Sequence, residues 1–235
     1  EAEALLAEHG LTIGHFPQSF EFATIGGFAA TRSSGQSSAG YGRFDALVVG
    51  LVVATPTGPV ALGRAPASAA GPDLRQVFVG SEGAFGVITA VTVRVRSLPE
   101  ATYYAGWRWS SFDAGAAAMR TLAQAQLLPT VLRLSDENET ALNLADPESI
   151  GGSAGSGCLM IVGFEGTQAA VDARRTAVAA VLTELGGEPA GEEPGAQWVA
   201  GRFDAPYLRD SMLDVGVLVE TLETAAYWTR LRPTY

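Results

Sequence analysis

The order of apolar and polar residues predicts two different kinds of structure in the two parts of the chain. In the first part, residues 47–53 form a continuous apolar run, which is typical of a strand covered on both faces. A turn at 55–58 leads back into a short strand at 60–62, and a longer strand follows at 87–95, where valines alternate with threonine and arginine. Short helices are predicted at 1–8, 25–31 and 73–79.

After Pro99 and Glu100 the pattern changes to strands and helices in alternation. Strands are predicted at 102–109, 130–134, 158–164 and 212–222, helices at 168–185 and from 224 onward, and loops at 149–157 and 188–195. Two further helices begin at capping residues. One starts at Asp113, and the other starts at Asp136 with Glu139 in a capping-box-like arrangement and ends near Ala145. This order indicates an antiparallel sheet with helices on one side, an α+β arrangement.

Residues 17–35, PQSFEFATIGGFAATRSSG, contain a pattern that suits a bound anion. Thr24 is the predicted N-cap of the helix, and Gly26 and Gly27 lie in its first turn. Glycines there leave backbone N–H groups uncovered, and such groups bind phosphate or pyrophosphate. A Gly-Gly pair kept for close helix–sheet packing explains the pattern equally well. The spacing is not the GxGxxG of nicotinamide-binding proteins.

Composition narrows the classes of function. With 47% apolar residues, the 235-residue chain has enough apolar material for the core of one or two domains. The net charge is −10 and every basic residue is arginine, which argues against nucleic acid or an anionic membrane as the main partner. No uninterrupted apolar run is long enough for a transmembrane helix, and there is no signal peptide, so we expect a cytoplasmic protein.

Hydrolytic and metal chemistry have little support in the sequence. The two histidines, His9 and His15, have no carboxylate at ligand spacing, so no metal site is predicted. There is no GxSxG elbow, P-loop or Cys–His arrangement. The single cysteine, Cys158, lies in an apolar run and is predicted to be a buried, unreactive thiol.

Several motifs together resemble a known family. PQSFEFATIGG, TRSSG, YGRFDALVVG, GPDLRQVFVGSEGAFGVITAVTVRVR and APYLRD are similar to FAD-binding oxidases of the vanillyl-alcohol-oxidase (PCMH-type) superfamily, and most similar to its alkyl-dihydroxyacetone-phosphate-synthase-like branch. The resemblance runs in order from about His15 to Arg230. GSEGxxGVIT is shared by many FAD-linked oxidases, whereas SFEFATIGG and YLRD are found in fewer of them and indicate the synthase-like branch.

The resemblance implies a fold and a domain order. Residues 1–98 would be the second half of a PCMH-type FAD-binding domain, and residues 99–235 a C-terminally incomplete, ferredoxin-like α+β cap that binds substrate. The family's first FAD subdomain would precede Glu1, and its catalytic Tyr and His-rich segment would follow Tyr235. We therefore assign no catalytic residue, and we expect the isolated chain to be inactive and to bind FAD weakly or not at all.

The resemblance also assigns ligand-binding residues. Those matched to FAD are Gln18, Ser19, Phe20, Glu21, Phe22, Ala23, Thr24, Gly26, Gly27, Thr31, Arg32, Ser33, Ser34, Glu82, Gly83, Ala84, Phe85, Gly86, Val87 and Ile88. For the hydroxyls the alternative is ordinary capping, and for residues 82–88 it is a Gly-rich turn. Arg209 and Arg133 match positions near the substrate's phosphate or carboxylate. Their alternatives are an Arg209–Asp210 surface pair and a structural ion pair of Arg133.

Three functions follow from the resemblance. The first is exchange of an acyl for an alkyl group through a flavin N5 adduct, as in alkyl-dihydroxyacetone-phosphate synthase, a step of ether-lipid synthesis. The second is oxidation of a 2-hydroxy acid such as D-lactate. The third is a non-catalytic binding module that has lost flavin. The expected partner is a small phosphorylated or carboxylate substrate; a homodimer, and membrane contact through a lipid substrate, remain open.

Overall fold

The computed structural model describes residues 1–63, 65–143 and 157–235. The predicted helix end near Ala145 and most of the predicted loop at 149–157 lie outside the described residues. The chain divides into two compact units, Glu1–Pro99 and Glu100–Tyr235.

The first unit is built on a three-stranded antiparallel sheet in the order β3-β2-β4. The predicted apolar run forms the central strand β2 (Val48–Thr55), which pairs with β3 (Gly58–Leu62) through a tight turn and with β4 (Val87–Val93) on its other side. Two short strands, β1 (Leu11–Thr12) and β5 (Arg96–Ser97), form a separate antiparallel pair. The predicted strand at 87–95 therefore ends earlier than expected.

The described residues of this unit also form five short helices. They are α1 (Ala2–Ala7), α2 (Ile25–Thr31), α3 (Ser38–Tyr41), α4 (Phe44–Leu47) and α5 (Arg75–Phe78). The core combines Phe28 of α2 and Phe44 of α4 with Leu51 and Val53 of β2, all of them buried. Arg75 ties α5 to the sheet, because its guanidinium donates to the carbonyl oxygens of Val48 and Val49 at 3.1 and 2.8 Å.

The second unit contains a four-stranded antiparallel sheet in the order β7-β8-β6-β9. Its strands are β6 (Ala101–Trp109), β7 (Val131–Ser135), β8 (Cys158–Gly166) and β9 (Glu188–Gly191). Helix α6 (Phe112–Gln124) connects β6 to β7, and α8 (Gln168–Glu184) connects β8 to β9. This βαββαβ order with these neighbours is the ferredoxin-like arrangement, so the predicted α+β fold class is confirmed.

The core of the second unit lies between this sheet and helices α6 and α8. Trp107 and Trp109 of β6, Met160 and Phe164 of β8, and Leu182 of α8 are among its buried residues. Burial raises the pKa of the Cys158 thiol to about 12, with a smaller effect of Glu137, which agrees with the predicted unreactive thiol.

Helix starts follow the sequence with one correction. Asp136 begins α7 (Glu137–Asn143) as predicted, because its carboxylate accepts a hydrogen bond from the Glu139 N–H at 2.7 Å. The N-cap of α6 is Ser111, whose hydroxyl accepts from the Ala114 N–H, and not Asp113. Asp113 is the second residue of the helix, in its first turn, where a carboxylate interacts favourably with the helix dipole.

The last third of the second unit differs most from the prediction. Part of the predicted acidic loop at 188–195 is strand β9, because it can pair with the open edge of β6. Helices α9 (Glu193–Gly201) and α10 (Ala205–Asp214) follow it. The predicted strand at 212–222 is wrong: α10 continues to Asp214, and 217–227 is neither helix nor strand.

The reason is that an alternating sequence needs a partner strand, and in the described residues this one has none. The predicted helix from 224 starts later than expected, at the 3₁₀ turn Trp228–Arg230, and continues as α11 (Leu231–Thr234).

Two kinds of feature are absent from the described residues. None of their helices combines the length and apolar character that crossing a membrane requires. Nor do they contain a group of three or more His, Cys, Asp or Glu side chains that could hold a metal ion.

Candidate functional site

The structure places the two glycine-containing segments of the first unit side by side. The N–H groups of Gly80 and Glu82 donate to the carbonyl oxygens of Ala29 and Ala30 in α2, both at 3.0 Å. Further along, a Cβ placed on Gly26 would lie 3.1 Å from the Ile88 carbonyl oxygen. Residues 80–88 therefore run along α2 from its C-terminal half to its first turn, over the helix length of about 10 Å.

The first turn of α2 serves two purposes. The Thr24 hydroxyl accepts from the Gly27 N–H at 3.0 Å, which confirms the predicted N-cap. The close approach of Gly26 to Ile88 is the helix–sheet packing that the alternative explanation required. At the same time, within the described residues no acceptor engages the N–H groups of Ile25 and Gly26. Packing and two uncovered donors therefore coexist here.

Side chains at the C-terminal end of α2 are largely engaged with the protein itself. The Thr31 hydroxyl donates to the Gly27 carbonyl oxygen at 3.0 Å, as the capping alternative predicts. Arg32, in the left-handed conformation with φ 51°, donates to Asp45 at 3.0 Å and to Gln76 at 3.1 Å. Arg32 thus links α2, α4 and α5, and we call this group of hydrogen bonds the Arg32 clamp.

The Asp45 carboxylate is the centre of that clamp. Burial alone would raise the pKa of Asp45, but hydrogen bonds and charge from Arg43 and then Arg32 outweigh it and lower that pKa. The group is therefore ionised at neutral pH, and its two guanidinium partners stay paired with it.

The turn at 80–86 exposes backbone and apolar side chains. Glu82 and Gly83 both have positive φ, 51° and 87°, and no atom lies within 4 Å of where a Gly83 Cβ would be. Phe85 and Val87 are 57% and 67% exposed, although both are apolar. Residues 83–87 line an open depression of about 550 Å³ together with Ala54 and Pro56.

The loop at 18–24 lies mostly at the surface. Its backbone is held by turn hydrogen bonds from the Phe20 N–H to the Pro17 oxygen and from the Phe22 N–H to the Ser19 oxygen. Phe20 packs against the core edge-on to Phe16, with 5.8 Å between ring centroids, whereas Phe22 is 67% exposed. The remaining loop side chains, those of Gln18, Ser19, Glu21, Ala23 and Thr24, are exposed.

The arrangement thus combines donors and apolar surface along one helix. Uncovered N–H groups and hydroxyls suit phosphate oxygens, and exposed aromatic and aliphatic side chains suit a flat ring. The carboxylates of Glu21 and Glu82 belong to the same segments and oppose an anion. Hydrogen-bond donors, and not net charge, would therefore have to hold it.

In the second unit, both arginines matched to the substrate form the ion pairs that the alternatives predicted. Arg133 of β7 pairs with Glu139 of α7. Arg209 of α10 donates to its neighbour Asp210 at 3.3 Å, and both side chains are more than half exposed. Exposed pairs of this kind are weak, so neither pairing prevents the arginine from binding a ligand.

Sequence reasoning missed a polar cluster on the sheet of the second unit. The Tyr104 hydroxyl of β6 donates to the Glu165 carboxylate of β8, and the Trp198 ring of α9 lies 5.9 Å from the Tyr104 ring. The pKa of Tyr104 is raised, mainly by burial and further by the hydrogen bond and charge of Glu165. Only the strand register reveals the cluster, because these residues are far apart in sequence and belong to no motif.

Comparison with known proteins matches both units to families. Residues 98–234 match the family described as FAD linked oxidases, C-terminal domain, and residues 1–61 match the FAD binding domain. The alkyldihydroxyacetonephosphate synthase of Dictyostelium discoideum is 34% identical over 99% of this chain and 41% of its own length. The synthase of Trypanosoma brucei brucei is also 34% identical, over 95% of this chain and 40% of its own length. The mitochondrial D-lactate dehydrogenase [cytochrome] of Arabidopsis thaliana is 35% identical over 54% of this chain.

Solved structures give the same picture. A structure of alkyldihydroxyacetonephosphate synthase superposes with a TM-score of 0.77 at 34% identity, covering 91% of this chain and 41% of that one. The chain thus spans about two fifths of the length of the synthases it matches.

Proposed function

This chain belongs to the FAD-linked oxidase family, and we propose that it forms part of an enzyme resembling alkyldihydroxyacetonephosphate synthase. The observation that carries the proposal is the extent of similarity. The synthases match 95–99% of this chain, whereas the D-lactate dehydrogenases match 54–57% of it at similar identity. The reaction would be exchange of an acyl for an alkyl group on a phosphorylated three-carbon substrate.

FAD is the cofactor of this family, and the residues of the first unit fit it. Residues 18–34 and 82–88 would hold it along α2, with phosphate oxygens on backbone N–H groups and on the hydroxyls of Ser33 and Ser34. The exposed Phe85 and Val87 would contact an aromatic ring system. When bound, the flavin ring supplies the chemistry at the substrate carbon, and the protein binds and orients.

In this proposal the second unit is a substrate-binding cap. Arg209 would bind the substrate's phosphate, and Arg133 would lie near it, each exchanging a carboxylate partner for the ligand. Because the guanidinium group donates two parallel hydrogen bonds, it suits phosphate and carboxylate alike. The same arginines would therefore serve a 2-hydroxy acid in the second candidate function, which the matches to D-lactate dehydrogenases and to a glycolate oxidase subunit support.

The two reactions differ in what happens to the flavin. A longer protein that contains this chain and binds FAD would be mixed with D-lactate without oxygen, and separately with acyl-dihydroxyacetone phosphate plus a long-chain alcohol. Ether product, with the absorbance of oxidised flavin fully recovered once turnover ends, is the expected result. Bleaching by the hydroxy acid would contradict the synthase-like reaction and favour the oxidase. A protein that never carries flavin would favour the non-catalytic module.

The proposed FAD surface has its own test in this chain. Val87→Asp places a charge on the apolar surface, and Val77→Asp is a matched control on α5, where the valine is also exposed. We expect the first change to weaken FAD binding about tenfold, because a desolvated carboxylate would face the cofactor, and the second to leave it unchanged. Equal effects of both changes would contradict the assignment.

A further inference from the structure

His15 is a buried histidine that the proposed function does not use. Its side chain is 4% exposed and lies edge-on to two phenylalanines, with ring centroids 4.9 Å from Phe28 and 5.1 Å from Phe44. Its Nε2 lies 3.0 Å from the Ser33 hydroxyl oxygen. His15 therefore connects the segment between β1 and the 18–24 loop to the loop that follows α2.

The surroundings of the other ring nitrogen decide which nitrogen carries the proton. Nδ1 is buried and has no hydrogen-bond partner among the described residues. It lies against Gly35, where an added Cβ would be only 3.1 Å away. A buried N–H without an acceptor costs more than a bare ring lone pair, because proteins rarely leave such donors unpaired. The proton of the neutral ring therefore belongs on Nε2, which donates to Ser33.

This assignment fixes the direction of the Ser33 hydroxyl. An oxygen that accepts from His15 keeps its own O–H for another partner. The described residues contain no other hydrogen-bond partner for that hydroxyl, and Ser33 is only half-buried. Phosphate oxygens accept hydrogen bonds and do not donate them, so a hydroxyl held as a donor is the form that an anion needs.

We propose that His15 is a positioning residue that holds the Ser33 hydroxyl as a hydrogen-bond donor toward a phosphate oxygen of FAD. The proposal rests on the proposed function of the first unit. It adds a residue outside the segments matched to the cofactor, and it predicts a specific tautomer. The ring acts as a neutral donor at neutral pH, since burial lowers the pKa of His15 to about 4.

The tautomer can be measured without any cofactor. The chain has only two histidines, so His9→Gln leaves a single imidazole for nitrogen NMR of histidine-labelled protein. We expect the neutral Nε2–H tautomer at about pH 7, and a shift in tautomer population when Ser33→Ala removes the partner. A dominant Nδ1–H tautomer in the otherwise unchanged protein would overturn the proposal.

Binding variants test the role toward FAD. Weak binding of FAD at millimolar concentration would be followed by titration in the wild-type chain and in His15→Leu, Ser33→Ala and the double variant. We expect each single change to weaken binding about tenfold and the double variant to be no weaker, because both remove the same hydrogen bond. His15→Gln, which keeps a donor near the Nε2 position, should recover most of the loss. Ser97→Ala, an exposed serine elsewhere in the unit, is the control.

The outcomes distinguish a failure of the role proposed for His15 from a failure of the proposed FAD site. Thermal unfolding of each variant shows whether it is folded, and an unfolded His15→Leu leaves Ser33→Ala and His15→Gln to decide. Suppose that the wild-type chain binds FAD. If the double variant loses the sum of the two single losses, or if Ser33→Ala binds FAD as well as the wild type does, the role of His15 is overturned and the proposed function is not. The same variants are also compared in a longer protein that contains this chain, where absence of bound FAD would contradict the proposed function and this inference together.

Discussion

At the scale of single residues, positions that look alike in the sequence differ because of what lies beside them. Gly83 and Gly86 belong to one motif, yet an added Cβ would meet nothing within 4 Å at Gly83 and the Ala54 carbonyl oxygen at 2.6 Å at Gly86. Arg32, Ser33 and Ser34 are consecutive. Arg32 is held by Asp45 and Gln76, Ser33 by His15, and Ser34 is exposed. The sequence could predict the motif but not these neighbours, because each comes from another segment.

Gly86 gives a stability prediction. Gly86→Ala should lower the free energy of unfolding of the first unit by about 3 kcal/mol, because the methyl group overlaps a backbone oxygen at a positive φ of 150°. Gly10→Ala is the matched control: φ is 69° but the space is open, so a loss of about 1 kcal/mol is expected. Urea unfolding measures both. Similar losses for the two variants would contradict the close contact at Ala54.

His15 gives a pH dependence whose sign is fixed by its environment. The folded protein resists protonating His15 until about pH 4, whereas the unfolded chain takes up the proton near its ordinary pKa of 6.5. The free energy of unfolding should therefore fall as pH drops through this window, by about 2 kcal/mol between about pH 7 and about pH 5. Asp45 does not cause this change, since its lowered pKa affects stability only as the pH falls below its ordinary value of 3.8. In His15→Leu this slope should be lost; an unchanged slope would contradict the assignment.

At the scale of helices and strands, local signals predicted well where tertiary pairing agreed with them. The apolar run of β2, the helix predicted at 168–185 and the Asp136 cap are all found in the structure. The predictions were wrong where strand pairing determines whether a segment forms a strand. Residues 188–191 form a strand despite a loop-like sequence because the edge of β6 is available, and 212–222 fails to form one because no described strand pairs with it.

The start of α6 gives a test at this scale. Ser111→Ala should destabilise the second unit by about 1 kcal/mol, because the Ala114 N–H loses its side-chain acceptor. Asp113→Asn should cost less than about 0.5 kcal/mol, since it removes only an interaction with the helix dipole and an exposed ion pair with Arg232 at 3.6 Å. Chemical unfolding of the two variants distinguishes them, and a larger loss for Asp113→Asn would restore Asp113 as the N-cap.

At the scale of the whole molecule, the family and fold class could be predicted from short motifs, but the use of each residue could not. The sequence predicts that GSEGAFGVIT and the residues around Gly26 both contact FAD. The structure places the two segments along the same helix. The arginines show the limit of such motifs: Arg133 and Arg209 match substrate positions by sequence, yet each has a carboxylate partner in the fold. Whether a ligand displaces that partner depends on energies that the motif does not contain.

Flavin content after purification is a prediction at this scale. The chain spans about two fifths of the synthases it matches, and we expect it to bind FAD too weakly to retain it. Absorbance of the purified chain in the flavin region should therefore be absent, and adding FAD should not stabilise it strongly against heat. A stoichiometric flavin that survives gel filtration would contradict this expectation.

The most direct measurement is an amide NMR titration of residues 1–235 with FAD at millimolar concentration. The proposal that residues 18–34 and 82–88 form one cofactor surface along α2 predicts saturable shifts in both segments with a single dissociation constant. Amides of residues 100–235 should remain unchanged. Saturable shifts confined to one segment, or saturable shifts centred elsewhere in the chain, would contradict it.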